Sequence, residues 1–77
     1  MDKDAKTALQ EFLQTKKKPL PEYRVIDELG DDHAREFVVE CSLLFKGEKI
    51  SVSAKDTSKR KAEKIAAKSM LSLLNQR

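Results

Sequence analysis

A chain of 77 residues can enclose one small core, and a domain of that size is only marginally stable by itself. Sixteen Lys/Arg against 13 Asp/Glu leave a formal charge of +3, and the lone cysteine, Cys41, excludes an internal disulfide and fits a reducing compartment, so the cytoplasm is expected. No apolar run approaches the roughly 20 residues that span a bilayer, and "MDKDAK" leads into no signal core, so the expectation is one soluble domain over 1–77, core about 6–74, with no membrane partner.

The charge is unevenly spread. Residues 1–45 hold seven basic and ten acidic side chains, a balance of −3, whereas residues 46–68 hold eight and three, a balance of +5. A basic segment of this kind is an electrostatic footprint and points to an anionic partner.

Between Asp4 and Lys16, Ala5, Ala8, Leu9, Phe12 and Leu13 recur at the spacing of one helical face, with Asp2 or Asp4 as candidate cap. The other face carries Thr7, Gln10, Glu11 and Gln14, a polar and mostly uncharged stripe. Lys16, Lys17 and Lys18 lie at the helix C-terminus, where the dipole favours cations, and "PLP" then forces an extended connection.

"EYRVIDEL" favours a strand, and Gly30, Asp31 and Asp32 signal a turn. From Arg35 to Leu44 the chain alternates, Phe37, Val39, Cys41 and Leu43 pointing one way and Val38, Glu40, Ser42 and Leu44 the other. "KGEK" is short enough for a hairpin, after which Ile50, Val52 and Ala54 alternate with Ser51 and Ser53. Three strands with short loops predict an antiparallel meander.

A final helix starts near Asp56, Thr57 or Ser58, each a good cap. Its apolar face is Ala62, Ile65, Ala66, Met70, Leu73 and Leu74, with Ala67 and Leu71 at the margin. The order α-β-β-β-α predicts an α+β fold, a three-stranded antiparallel sheet with two helices packed on one face. Met70, Phe12, Phe37, Tyr23 and Cys41 are expected in the core or at its edge, while Phe45, beside Leu44, is expected to be exposed.

Lys59, Arg60 and Lys61 sit in the first turn of that helix, where the aligned peptide dipoles oppose cations by about 0.3–1 kcal/mol each. The free backbone N–H groups and the three cations there form a place for an anion. No catalytic constellation accompanies them. His33 and Cys41 have no companion ligands to make a metal site, and Asp27, Glu28, Asp31 and Asp32 read as a solvated acidic edge.

"TALQEFLQ", "PLPEY", "GDDH" followed by "REF", and "TSKRKAEKIAA", in that order, resemble the double-stranded RNA-binding domain, most closely the C-terminal domain of bacterial ribonuclease III. The resemblance implies three RNA-binding regions: Thr7, Gln10, Glu11 and Gln14 in one minor groove, His33 in the next, and Lys59, Arg60 and Lys61 on phosphates across the intervening major groove. A-form geometry requires such a division, because it exposes 2′-hydroxyls in a shallow minor groove and hides base edges in a deep major one. Where the family often has glycines the chain has Ala54 and Asp56, and Asp31 replaces a frequent proline.

The implied function is a non-catalytic module that binds double-stranded RNA by shape, as the substrate-holding part of a ribonuclease III. The module itself would need no cofactor; Mg²⁺ would belong to the parent's catalytic domain. The isolated domain is expected to be a monomer and the parent a homodimer. The alternative is a protein-interaction or dimerisation module using Val38, Leu44 and Phe45, with weak or no RNA binding.

Overall fold

The computed structural model describes residues 4–76, in the order α1 (Ala5–Thr15), β1 (Glu22–Leu29), β2 (Glu36–Phe45), β3 (Glu48–Asp56) and α2 (Lys59–Asn75). The sheet is antiparallel in the order β1-β2-β3, as the meander reading requires. Strand alternation decides the buried side. Val39, Cys41, Leu43 and Phe45 of β2, with Ile50 of β3, face Leu9 and Leu13 of α1 and Ala62, Ala66, Ala67, Met70 and Leu74 of α2. The three alanines are fully buried, and side chains this small let α2 lie close over β2 and β3.

Two sequence expectations are corrected. Phe45 is buried, 4% exposed, because β2 runs one residue further than its alternation first showed and Phe45 shares the parity of Leu43. On α2 the margin residue Ala67 is fully buried, whereas Ile65 is 44% exposed. The stripe is centred on the short side chains that allow close approach, so hydrophobicity alone misplaces it. Phe12, Tyr23 and Phe37 are half-buried at the core edge, and Met70 and Cys41 lie inside.

Three turns fix the ends of the elements. Asp4 occupies the α1 N-cap but makes no side-chain cap bond; the other candidate, Asp2, lies outside the described residues. At the C-terminus of α1, Lys18 N donates to Leu13 O (2.8 Å) and Lys17 N to Gln14 O (3.0 Å), a Schellman motif with Lys17 at φ 56°. The β2–β3 hairpin turns through Lys46 (φ 54°) and Gly47 (φ 78°), a two-residue loop with the positive φ values of a type I′ turn.

β1 is an open edge. Val25, Ile26 and Leu29 are each more than a third exposed, and α2 covers the other two strands instead. Its pairing with β2 slips at Ile26: Val25 faces Val39, but Asp27 faces Val38. This bulge reverses the alternation, so Glu28 falls opposite Phe37 and Leu29 opposite Glu36. Extra twist at a bulge and a charged strand both discourage pairing of the edge with another chain.

Candidate nucleic-acid interface

The register places the candidate residues. Phe37 pairs with Asp56, so the β1–β2 loop and the residues leading into α2 sit at the same end of the sheet. Lys6 in the first turn of α1 makes an ion pair with Glu63 in the second turn of α2, bringing the start of α1 to that end as well. A cleft bounded by Phe12, Lys16, Leu74 and Asn75 joins the other ends of the helices. The helices therefore run in the same sense, and their N-termini share one pole with the loop.

Each expected residue reaches the surface. Thr7, Gln10, Glu11 and Gln14 are all exposed along α1, so the stripe survives folding. Their side chains match 2′-hydroxyls chemically, since Thr and Gln can donate and accept while Glu accepts. The backbone carbonyl of Glu11 is also used locally, accepting from the Thr15 hydroxyl at 2.9 Å.

His33 is exposed in a loop whose shape is set by its neighbours. Asp31 Oδ1 accepts from His33 N (2.9 Å) and Ala34 N (3.0 Å), an Asx turn that occupies the carboxylate with backbone. Asp32 and Glu28 both meet Arg35, at 2.9 and 3.5 Å. The acidic edge is thus partly neutralised from within. Gly30 anchors the loop at φ 84°, and a Cβ there would stand 2.3 Å from Ala34 O, so the position favours glycine on both counts.

Lys59, Arg60 and Lys61 are exposed in the first turn of α2. Ser58 is the cap, its Oγ accepting from Lys61 N at 3.3 Å. Asp56, beside the cations, accepts at Oδ1 from Ser58 N (3.1 Å) and from the Thr57 hydroxyl (3.4 Å). A carboxylate held this way stiffens the entry to the helix. Lys59 Nζ lies 5.1 Å from the centroid of the Phe37 ring, which gives one of the three cations a fixed footing.

Sequence reasoning missed the supporting roles of Lys6, Glu63 and Phe37. Lys6 and Glu63 are 57 positions apart, so no local pattern pairs them. Lys6 also lies 4.8 Å above the Tyr23 ring, tying α1, α2 and β1 together. Beneath it the Tyr23 hydroxyl is buried without a hydrogen-bond partner; its cross-strand neighbour Cys41 offers only a weakly bonding thiol. Burial foremost, and then the adjacent Cys41, pushes the Tyr23 phenol well above its usual range, and burial likewise raises the Cys41 thiol.

Among the described residues no group of three His, Cys, Asp or Glu side chains could hold a metal ion, and no helix is long and apolar enough to cross a membrane. The double-stranded RNA binding motif matches residues 5–74. The chain is 53% identical over 72 residues to ribonuclease 3 of Colwellia psychrerythraea, covering 94% of this chain and 26% of that protein. It is 54% identical over 72 residues to ribonuclease 3 of Shewanella sp. strain ANA-3 (94% and 31%), and 50% identical over 74 to that of Shewanella amazonensis (96% and 32%). The chain thus spans a quarter to a third of these relatives, and what it matches is a binding module, not a catalytic domain. With helix, meander and helix in the expected order and the motif matched over nearly its full length, the chain belongs to the double-stranded RNA binding motif family.

Proposed function

We propose that this single domain grips A-form RNA through three sets of side chains. Thr7, Gln10, Glu11 and Gln14 meet 2′-hydroxyls and base edges in one minor groove, and His33 enters the next. Lys59, Arg60 and Lys61 take the phosphates between them, aided by the free N–H groups and dipole of α2. The observation that carries this reading is the gathering of the α1 start, the His33 loop and the α2 N-terminus at one pole, from which the exposed stripe Thr7, Gln10, Glu11 and Gln14 runs along α1.

By kinship with the ribonuclease 3 proteins, the module is the substrate-holding part of such an enzyme, and rRNA processing, endonucleolytic cleavage and Mg²⁺ use belong to the parent. The parent acts as a homodimer in the cytoplasm, and the isolated module is a monomer needing no cofactor. The competing protein-interaction reading loses its main support, because Phe45 is in the core and only Leu44, with the half-buried Val38, remains on the outer face.

Titration of the chain with a duplex RNA of about 20 base pairs and a DNA duplex of the same sequence, each at two salt concentrations, tests the proposal. RNA should bind more tightly than DNA, with affinity falling as salt rises. Equal or absent binding to both would remove it.

A further inference from the structure

Affinity for phosphate and recognition of A-form shape make different demands on a domain. Cations bind any polyanion, whereas a shape reader must hold its minor-groove and phosphate contacts at a fixed separation. Here those contacts stand on two different helices, the polar stripe on α1 and the cations on α2. What fixes one helix against the other therefore decides whether the domain distinguishes RNA from DNA.

The start of α1 has few supports of its own. Asp4 makes no side-chain cap bond, and the first turn holds no acidic residue to complement the helix dipole. The backbone of α1 lies closer to α2 than to any strand, and the buried anchors Leu9 and Leu13 come after the first turn. Lys6 supplies the missing hold. Its Nζ pairs with Glu63 of α2 and stands 4.8 Å from the centroid of the Tyr23 ring, which β1 carries opposite Cys41 of β2. Thr7, the first residue of the stripe, follows Lys6 directly, and Gln10 lies one turn on, in a cleft that both Lys6 and Tyr23 line.

Glu63 has candidate partners within its own helix. It lies four residues after Lys59 and three after Arg60, the spacings at which opposite charges pair along a helix. Its carboxylate meets Lys6 instead, while Lys59 rests over the Phe37 ring. The bridge thus ties α1 to the turn of α2 beside the cations, and occupies a carboxylate that could otherwise neutralise them. The Lys6 and Glu63 side chains are 35% and 29% exposed, and a pair this wet adds little to stability, which leaves placement as what it contributes.

We propose that Lys6 is a positioning residue for RNA recognition: bridged to Glu63 and seated on Tyr23, it sets the spacing between the α1 stripe and the α2 cations, and with it the preference for A-form RNA over B-form DNA. A-form RNA has a deep, narrow major groove beside a wide, shallow minor groove, whereas in B-DNA the major groove is the wide one. Helices locked at the spacing of the first meet both contact sets only on RNA; loosened helices still reach phosphates on either duplex. The proposal rests on the chain's binding duplex RNA, and names the residues that set its selectivity.

The test measures affinity for an RNA duplex of about 24 base pairs, longer than the roughly 16 that such a domain spans, and for a DNA duplex of the same sequence, across a range of salt. Wild type is compared with Glu63→Gln, with the double variant Lys6→Met/Glu63→Gln, whose net charge is that of wild type, and with Lys6→Arg. Glu63→Gln makes the chain more positive, so charge alone predicts tighter binding to both duplexes. Loss of positioning instead lowers the RNA-to-DNA affinity ratio, by about three- to tenfold in both Glu63→Gln and the double variant. The salt slope for RNA in the double variant should match wild type, because neither residue takes a phosphate, and Lys6→Arg, which keeps the bridge and the ring contact, should keep the ratio. A wild-type ratio in Glu63→Gln or in the double variant overturns the proposal, and so does a ratio in Lys6→Arg as low as theirs. A slope lower by about one also overturns it, making Lys6 a phosphate contact. A melting point lower by more than about 8 °C in the double variant does the same, since the pair would then be holding the core together. Wild type that binds both duplexes equally, or neither, removes this proposal and the duplex-RNA function together, whereas a selective wild type with unaltered variants removes this one alone.

Discussion

The two poles of the domain both carry clustered cations, and each does so against a different local preference. At the pole of the helix N-termini, Lys59, Arg60 and Lys61 oppose the dipole of α2, and their backbone is ordinary helix. At the other pole the dipole of α1 favours Lys16, Lys17 and Lys18, but the backbone at Lys17 and Lys46 is left-handed. The helix dipole therefore accounts for the lysines after α1 but opposes the three cations that open α2. The poles differ in their supports: Ser58, Asp56, Phe37 and the Lys6–Glu63 pair define the first, whereas ring faces steady the second. A pole with converging supports can demand geometry from its ligand.

The largest effect expected from breaking this comparison is at the first pole. Lys59→Ala/Arg60→Ala should weaken RNA binding sharply and lower the salt slope by about two, roughly one for each cation removed from a phosphate. Its thermal stability should stay equal or rise slightly, because cations have left a helix N-terminus. Unchanged RNA affinity in the folded double variant would detach the function from this pole.

Next comes the loop that presents His33. Gly30→Val forces a Cβ toward Ala34 O at a positive φ, and should cost about 1–3 kcal/mol, or roughly 5–20 °C in Tm. A wild-type Tm in that variant would show that the loop relaxes freely and does not define the pole. Smaller again, Ser58→Ala removes the cap of α2 and should cost about 1 kcal/mol, near 5 °C in Tm. Ser58→Asp keeps an acceptor and should restore most of that loss; failure to do so would mean that the cap bond contributes little.

The smallest effect lies in the support beneath Lys6. The folded state holds the protons of Cys41 and Tyr23 more tightly than the unfolded chain, whose thiol and phenol ionise from ordinary values of 9.0 and 10.0. The contribution of these two groups to stability should therefore be constant below about pH 9 and fall as pH rises beyond it, where the unfolded state releases protons first. Tyr23→Phe removes a buried hydroxyl that lacks a partner, so at neutral pH it should be neutral or stabilising by up to about 1 kcal/mol. Its alkaline fall in stability should be shallower than wild type. A steeper fall would place the titration elsewhere.

Much of the architecture is legible in the residue order. Period 3.6 in α1 and period 2 in β2 each follow from one-sided burial, and "PLP" and "KGEK" mark where the chain must turn. The exposed stripe of α1 and the cations of α2 are legible too, since a residue on the polar face of an amphipathic helix needs no tertiary information to be placed outward. Ile65 and Ala67 escape such a reading because the choice between them depends on how closely α2 approaches the sheet. Phe45 escapes it because the end of an alternating strand depends on the register of its partner.

The sequence by itself determined the element order, the inner parity of β2 and β3, and which side chains carry charge, because these rest on spacing and composition within a few residues. Tertiary structure alone decided that the helices run in the same sense, that Lys6 meets Glu63 and Lys59 meets Phe37, and that a bulge at Ile26 reverses β1. It also decided that Lys46 joins Lys16 and Lys18 around one cleft. These juxtapositions join residues far apart in the chain. They are set by how a small core closes, and no local period records them.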